Sequence, residues 1–582
     1  MSTHTHDHRT ADAPNRSGRD PHRVTVIAAT AAGRALGARL AESLGGAFAE
    51  GRPSEALAEH WPSSGRIVMV MAAGAAVRLL APHLGSKQDD PGVVCVDDTG
   101  RHAIALVGGH EGGANQLAGR VARFLAVEPV ITTASENAGL PNLGELGGEL
   151  GLKAEGDIAA LGGHLVSGGS VRLERETAWP TGALPYDLTD DADAPALVVS
   201  DRVRDASSPA VFLRPPSLHL GIGSSRGVSA EEVGKLIDET LAEAGLSPAS
   251  VAGVASIDVK ADEEGITQAA VQRGWEVVYH SAEELNEADV PNPSAVVAQT
   301  VGTPSVSEAA ALLHGDELVV PKRRSAMATV AVSRRAPRGR LALISLGPGA
   351  DDLTTPRAQH ELGLAEVVLG YGAYLDAAAP WIGRGTAVER FALGEEEKRA
   401  RRALELAREG RAVAMVGSGD VGVYAMGSPT LEITGDDIDV VSVPGVTASL
   451  AASSILGAPF GHDHCHISLS DLLTPWEVIE RRLHAAAAGD FAVAFYNPRS
   501  RGRDWQLSKA REILLTERSA DTPVGIVKDA ERPNQEVLLT TLGELDVEQV
   551  HMTTVVLVGN SRTRYIAGRM VTPRGYRDRH ED

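Results

Sequence analysis

The chain has 582 residues, more than one hydrophobic core can serve; its 43% hydrophobic and 23% charged residues predict several ordinary globular domains. A formal net charge of −22 at pH 7 repels nucleic acid and anionic membrane, and only short basic clusters interrupt it, so neither partner is expected. No apolar run is long enough to cross a bilayer, the start lacks a signal-peptide core, and Cys95 and Cys465 form no CxxC pair, so a cytoplasmic protein without structural zinc is expected.

Residues 1–22 are polar, without apolar period, and predict a disordered tail. From Arg23, RVTVIAAT reads as a buried strand, followed by a helix at GRALGARLAESL. RIVMVMA, the pair VVCVDD and HAIALVGG, the helix QLAGRVARFLA and the strand PVITT complete an α/β domain over 23–150. Over 151–216 the periods shorten and Gly, Asp, Pro and Ala are frequent, which predicts a connecting region or a small β-rich insert. A second α/β domain spans 217–334, with LHLGIGSS as a strand and SAEEVGKLIDETLAEAG as an amphipathic helix capped by Ser229. Residues 335–340, basic with Pro and Gly, read as a linker. A third α/β region, 341–578, opens with LALISLGPG and continues through AVAMVGSGD, IDVVSVPG, FAVAFYNP, PVGIVKD and TTVVLVGNS.

Four glycine-bearing turns follow apolar strands in this last region: Gly347-Pro348-Gly349, Gly417-Ser418-Gly419-Asp420, Pro444-Gly445-Val446-Thr447 and Gly559-Asn560-Ser561. Ligands of open α/β sheets lie beyond the carboxyl ends of the strands, and glycine lets backbone approach them closely. The pattern is neither GxGxxG followed by a ribose-binding acid nor a P-loop, since no GK[ST] follows.

LISLGPGADDLTTPRA, GSGDVGVYAMG and VPGVTASLAASSILGAPFGHD resemble the signatures of the class III S-adenosylmethionine enzymes, the tetrapyrrole methylases. ISLSDLLTPWEVIERRL, YNPRSRGR and VGNSRTRYIAGRMVTPRGY are similar to the branch that methylates C17 of precorrin-3B or cobalt-factor III with contraction of the macrocycle. The resemblance implies a two-lobed methylase, generally dimeric, that binds S-adenosylmethionine in a cleft between its lobes. The positions matching its cofactor residues are Pro348, Ser418, Gly419, Asp420, Val423, Thr447, Ala448, Tyr496 and Ala530. Asp420 and Tyr424 are the expected orienting groups for an in-line methyl transfer that relies on alignment. Arg499, Arg501 and Arg503 would clamp the carboxylate arms of an anionic tetrapyrrole. VKDAERPNQ departs from the family's more usual Arg-Asn pair and Gly. In GHDHCHIS only the initial His-Asp follows the family pattern, and no metal is expected at His464 and His466.

MAAGAAVRLLAPHLGSKQDDPGVVCVDDTGRHAIALVGGHEGGANQLAGRVA resembles the N-terminal domain of the hydrolase that acts on cobalt-precorrin-5A. LGIGSSRGVSAEEV, ASIDVKADEEGI, TVGTPSVSEAAAL and LVVPKRR resemble its C-terminal domain. The implied reaction, opening of a ring-A δ-lactone by water, needs a base and donors to an oxyanion. His110 or Glu111 would serve as base, and the amides of Gly108, Gly109, Gly112 and Gly113 as donors. Gly74, Arg78, Lys87 and Asp90 form a second polar group. Lys260, Ser305, Glu308 and Lys322 are the analogous candidates in the second domain, with Arg78, Lys87 and Lys322 as substrate-binding cations. The expected architecture is therefore α/β and multidomain: hydrolase-like domains followed by a two-lobed class III methylase.

Overall fold

The computed structural model describes residues 20–85, 89–109, 112–132, 140, 143–204, 208–500 and 502–576. Of the expected tail, residues 1–19 lie outside the described residues, and the first strand, Asp20–Ala28, already includes its last three positions. The chain divides into two compact units, Met1–Thr181 with Pro185–Pro337, and Gly182–Leu184 with Arg338–Asp582. The division falls inside the stretch read as a linker.

The first unit holds three sheets. In the first, the order is Ala47–Ala49, Asp20–Ala28, Ser64–Val70, Gly92–Val96, Ala103–Val107, Pro129–Val130. Only Gly92–Val96 against Ala103–Val107 is antiparallel. Thr30 starts the helix Ala31–Leu44 by accepting from Gly33 N at 2.9 Å, and Gly45 ends it in the left-handed region. Residues 151–216 carry a second sheet, in the order Lys153–Gly156, Ala210–Arg214, Ala196–Val199, Arg172–Arg175. The third sheet runs Val277–His280, Val251–Ile257, Leu218–Ser224, Ala328–Arg334, Glu317–Arg324. Its first three strands are parallel and the last two are antiparallel additions. The helix Ala230–Glu243 lies between these strands in sequence, and Ser229 accepts from Glu232 N as its cap. A partly buried ion pair ties the second and third sheets: Arg334 grips both oxygens of the buried Asp201 at 2.7 and 3.1 Å, and Ser217 donates to the same carboxylate.

The second unit has two lobes. The first lobe is an all-parallel sheet in the order Ala387–Phe391, Val367–Tyr371, Ala412–Gly417, Arg340–Ser345, Asp439–Val443. Its three middle strands bury apolar side chains on both faces, which is why LALIS and AVAMV read as unbroken apolar runs. The second lobe orders His464–Ser468, Ala492–Tyr496, Thr554–Val558, Pro523–Lys528, Glu536–Thr541. Here only the first pair is parallel. A short sheet orders Gly457–Ala458, Arg569–Val571, Arg564–Ile566, the first pair parallel and the second antiparallel.

Candidate functional site

Three of the four glycine turns leave neighbouring parallel strands at the same edge of the first lobe and are bonded to one another. Gly347 and Gly419 exchange backbone hydrogen bonds, at 3.1 Å and 2.6 Å. Both sit at positive φ, 76° and 69°, a conformation that favours glycine. Ser345 Oγ accepts from Val421 N at 2.9 Å. A Cβ on Gly445 would stand 2.5 Å from Gly419 O, so the third turn closes onto the second at a distance only glycine permits.

Asp420 is the latch of this arrangement. One carboxylate oxygen accepts from Gly422 N at 2.8 Å and the other from Gly445 N at 2.9 Å. Its geometry is that of a group holding two turns together. Thr447 and Ala448 follow at the start of the helix Ala448–Leu456; Thr447 Oγ1 lies 3.9 Å from where a Gly419 Cβ would project.

The second lobe faces these turns with Tyr496 and Ala530, and Tyr424 of the first lobe bonds to it. Tyr496, at the end of its strand, receives the Ser449 N–H at 3.0 Å and shares a short hydrogen bond with the Thr447 hydroxyl. Tyr424 adopts a left-handed φ of 51°, donates to His466 O at 2.8 Å and sets its ring 5.2 Å from that of Tyr496. Burial raises the Tyr424 phenol above its ordinary value and lowers His466 below its own. Ala530 is buried between Asp529 and Glu531, both at positive φ, 47° and 58°. This is the segment that departs from the family pattern, so non-glycine residues hold a strained turn here.

Arg532 follows, and sequence reasoning missed it. Its Nε donates to Pro348 O at 2.9 Å and its Nη2 to Ser418 Oγ at 3.1 Å, joining the second lobe to two turns of the first. Nothing in local spacing signals a contact across that much chain; a Cβ on Gly349 would meet Arg532 Cγ at 2.4 Å, so glycine there leaves the arginine its place.

The fourth turn, Gly559-Asn560-Ser561, does not join the other three. Its strand runs antiparallel to Ala492–Tyr496, with Val558 opposite Val493 and Val556 opposite Phe495. The turn therefore emerges at the edge away from Tyr496. Arg518 takes its Gly559 carbonyl at 2.7 Å, and Asp490 accepts from Ser561 N at 2.9 Å, so it is a structural corner.

Arg499 and Arg503 are engaged within the chain. Arg499 donates to Val547 O at 2.7 Å and pairs with Glu548 at 2.6 Å; Arg503 donates to Asn497 O at 3.0 Å and Ser470 Oγ at 3.3 Å. Arg501 lies outside the described residues, as do Lys87, His110 and Glu111. Around the last two, Gly108 and Gly113 have positive φ, and Gly112 packs so closely on Gly92 that a Cβ on Gly92 would come within 2.0 Å of Gly112 O. Arg78 caps back onto Gly74 O, and Asp90 accepts from Gly85 N. In the third sheet's domain Glu308, fully buried, accepts from Asn292 Nδ2 at 2.9 Å and from Lys322 N at 3.0 Å, while Lys322 Nζ reaches Asn292 O. Lys260 pairs with Glu263 at 3.5 Å, and Ser305 is buried at a helix start without capping it. Among the described residues no group of three or more His, Cys, Asp or Glu is placed to hold a metal.

The three joined turns bring backbone carbonyls, the Ser418 and Thr447 hydroxyls and closely packed glycines to one edge of the first lobe. Residues 340–546 match the family model for tetrapyrrole (corrin/porphyrin) methylases. The probable cobalt-factor III C(17)-methyltransferase of Salmonella typhimurium is 47% identical over 239 residues, 40% of this chain and 99% of that protein. The chain belongs to the tetrapyrrole methylase family. The precorrin-3B C(17)-methyltransferase of a Sinorhizobium species is 40% identical over 39% of this chain and 91% of its own length. The crystal structure of the methyltransferase CobJ is 41% identical, covers 40% of this chain and 100% of that one, and superposes with a TM-score of 0.39. Ahead of the methylase, residues 55–136 and 218–333 match the models for the cobalamin synthesis G N-terminal and C-terminus, so the methylase is fused to both of those domains. No helix among the described residues is long and apolar enough to cross a membrane.

Proposed function

We propose that the second unit transfers a methyl group from S-adenosylmethionine to C17 of precorrin-3B or cobalt-factor III, with contraction of the ring, in cobalamin biosynthesis. The observation that carries this reading is the mutual locking of the Gly347, Gly419 and Gly445 turns through Asp420. Pro348, Ser418, Gly419, Val423, Thr447, Ala448, Tyr496 and Ala530 hold the cofactor, which supplies an electrophilic methyl group when bound. The chain's own work is alignment and exclusion of water; proximity and orientation contribute roughly 7–11 kcal/mol at best. Tyr424 orients the macrocycle, and Arg499, Arg501 and Arg503 clamp its carboxylate arms, Arg499 and Arg503 each using two of five guanidinium N–H groups within the chain.

The first unit, in this reading, opens the ring-A δ-lactone of cobalt-precorrin-5A by water, the two-carbon fragment leaving later as acetaldehyde. His110 or Glu111 activates the water, and Arg78, Lys87 and Lys322 meet the anionic substrate. The match to both cobalamin synthesis G domains supports it. The protein works in the cytoplasm, as a homodimer through the methylase unit, without nucleic acid or membrane.

Incubation of the full-length protein with methyl-labelled S-adenosylmethionine and, in parallel, precorrin-3B and cobalt-factor III tests the first half. One substrate gains a single labelled methyl by mass spectrometry. Failure with both, or no calorimetric uptake of S-adenosylhomocysteine, overturns it. Cobalt-precorrin-5A treated with wild type and with Glu111→Gln tests the second half: loss of two carbons with the wild type alone supports the hydrolase.

A further inference from the structure

The cofactor residue Thr447 is the first link of a hydrogen-bonded chain that leads away from the cleft. The Tyr496 hydroxyl donates to Ser449 Oγ at 2.9 Å, and its oxygen accepts from Ser449 N at 3.0 Å. With its single hydrogen spent on Ser449, Tyr496 receives the hydrogen of Thr447 in their short contact. Ser449 Oγ, having accepted from Tyr496, has its own hydrogen left for His466 Nε2, 3.0 Å away. His466 is thus the terminal acceptor, with the unprotonated nitrogen turned towards the chain. Ser449 is fully buried and Thr447 nearly so, which shields the links from bulk water.

Resting on the methylase reading above, we propose that Thr447, Tyr496, Ser449 and His466 form a proton relay that carries away the proton released by methyl transfer. A π electron pair of the ring carbon forms the new C–C bond, and the pair of the broken S–CH₃ bond stays on sulfur. The macrocycle, left with one extra positive charge, sheds one proton. That proton binds Thr447 Oγ1 as Thr447 passes its own to Tyr496, Tyr496 to Ser449, and Ser449 to His466 Nε2, giving an imidazolium. Each hydroxyl ends with the hydrogen count it began with, and His466 returns its proton to solvent before the next turnover.

The surroundings of His466 suit a transient proton acceptor. His464 and Cys465 share its strand, Tyr496 faces it from the neighbouring strand at a ring distance of 5.6 Å, Tyr424 from the first lobe, Ser449 from the helix and Phe460 at 6.2 Å. Arg482 and Arg518 act one shell away, on Tyr424 and Cys465. Burial, and then His464, lower the proton affinity of His466, which favours return of an accepted proton to solvent.

Two readouts on the full-length protein test the relay. In the first, without cofactor, nitrogen NMR of wild type shows His466 as the neutral tautomer with a hydrogen-bonded Nε2, and Ser449→Ala shifts that nitrogen and the titration midpoint of the ring. In the second, Ser449→Ala and His466→Phe lower the rate of labelled-methyl transfer at saturation roughly tenfold or more, and remove the fall in rate on the acid side, where wild-type His466 is already protonated. Unchanged S-adenosylhomocysteine affinity in Ser449→Ala shows that the site is still built. An active wild type whose two variants keep its rate and pH profile overturns the relay alone. An unchanged His466 resonance in Ser449→Ala also overturns it. A wild type that methylates neither substrate overturns the methylase reading and the relay with it.

Discussion

Asp420 separates two roles that one carboxylate can play. Each of its oxygens accepts one backbone N–H, from separate turns, and keeps a second lone pair for an orienting contact. Asp420→Asn puts an amide N–H₂ against one of those donors, leaving it without an acceptor at a cost of about 1–3 kcal/mol. The loss falls on the geometry of the cleft, so affinity for S-adenosylhomocysteine should drop roughly tenfold or more by calorimetry. An Asp420→Asn protein that binds normally and loses only its turnover number would instead assign the carboxylate to the chemistry. Arg532 makes the complementary point about what local reading misses. Its partners, Pro348 and Ser418, were both recognised as site residues from their motifs. The arginine joining them was not, because a side chain that crosses from one lobe to the other leaves no periodic trace.

Strands and helices were largely legible because a buried parallel strand must be apolar throughout, as in LALIS and AVAMV, and a capped amphipathic helix announces its start, as at Ser229. Strand direction was not. The Gly559 turn follows an apolar strand as the other three do, yet antiparallel pairing carries it to the opposite edge. The sheet within 151–216 was hard to see for a related reason. Its strands, of four or five residues, are too short to establish a period, and they pair across long sequence separations. Glycine positions reveal which packings are intolerant. Gly221, on the strand Leu218–Ser224, lets the helix Val306–Leu312 lie so close that a Cβ would come within 1.9 Å of Ser307 O. Gly221→Ala should therefore destabilise the first unit by at least about 2 kcal/mol, since backbone rather than a flexible side chain must yield. Gly163, inside the helix Ile158–Val166, has no atom within 4 Å of its would-be Cβ. Gly163→Ala should stabilise by about 0.5–1 kcal/mol through helix propensity. Urea unfolding of the full-length variants, followed at the first unit's transition, reads both signs, and equal effects would contradict the packing.

Two compact units in one chain imply two unfolding transitions, and acid should act unequally on them. The first unit contains a histidine cluster: the rings of His219 and His314 stack at 5.3 Å, and His280 Nε2 lies 2.8 Å from His314 Nε2. One nitrogen of that pair must donate and the other accept, so the pair is built for a single shared proton. Burial first, then His314 and Arg335, push His219 down to about 4 from an ordinary 6.5. A folded-state value below the unfolded one means that the unfolded chain binds the proton more readily. The stabilisation is complete above about pH 6.5, shrinks as pH falls through that value, and is gone below about pH 4. Between pH 7 and pH 4.5 the loss from His219 alone is roughly 2–3 kcal/mol. Carboxylates throughout the chain add their own acid response, so the contribution is read as a difference. His219→Asn, which cannot acquire the charge, should show a first-unit transition that falls less steeply with acid than the wild type, with the methylase transition unmoved. Parallel acid profiles for the two proteins would mean that His219 is protonated in the folded state at its ordinary value, and that the stacked ring on His314 tolerates the charge.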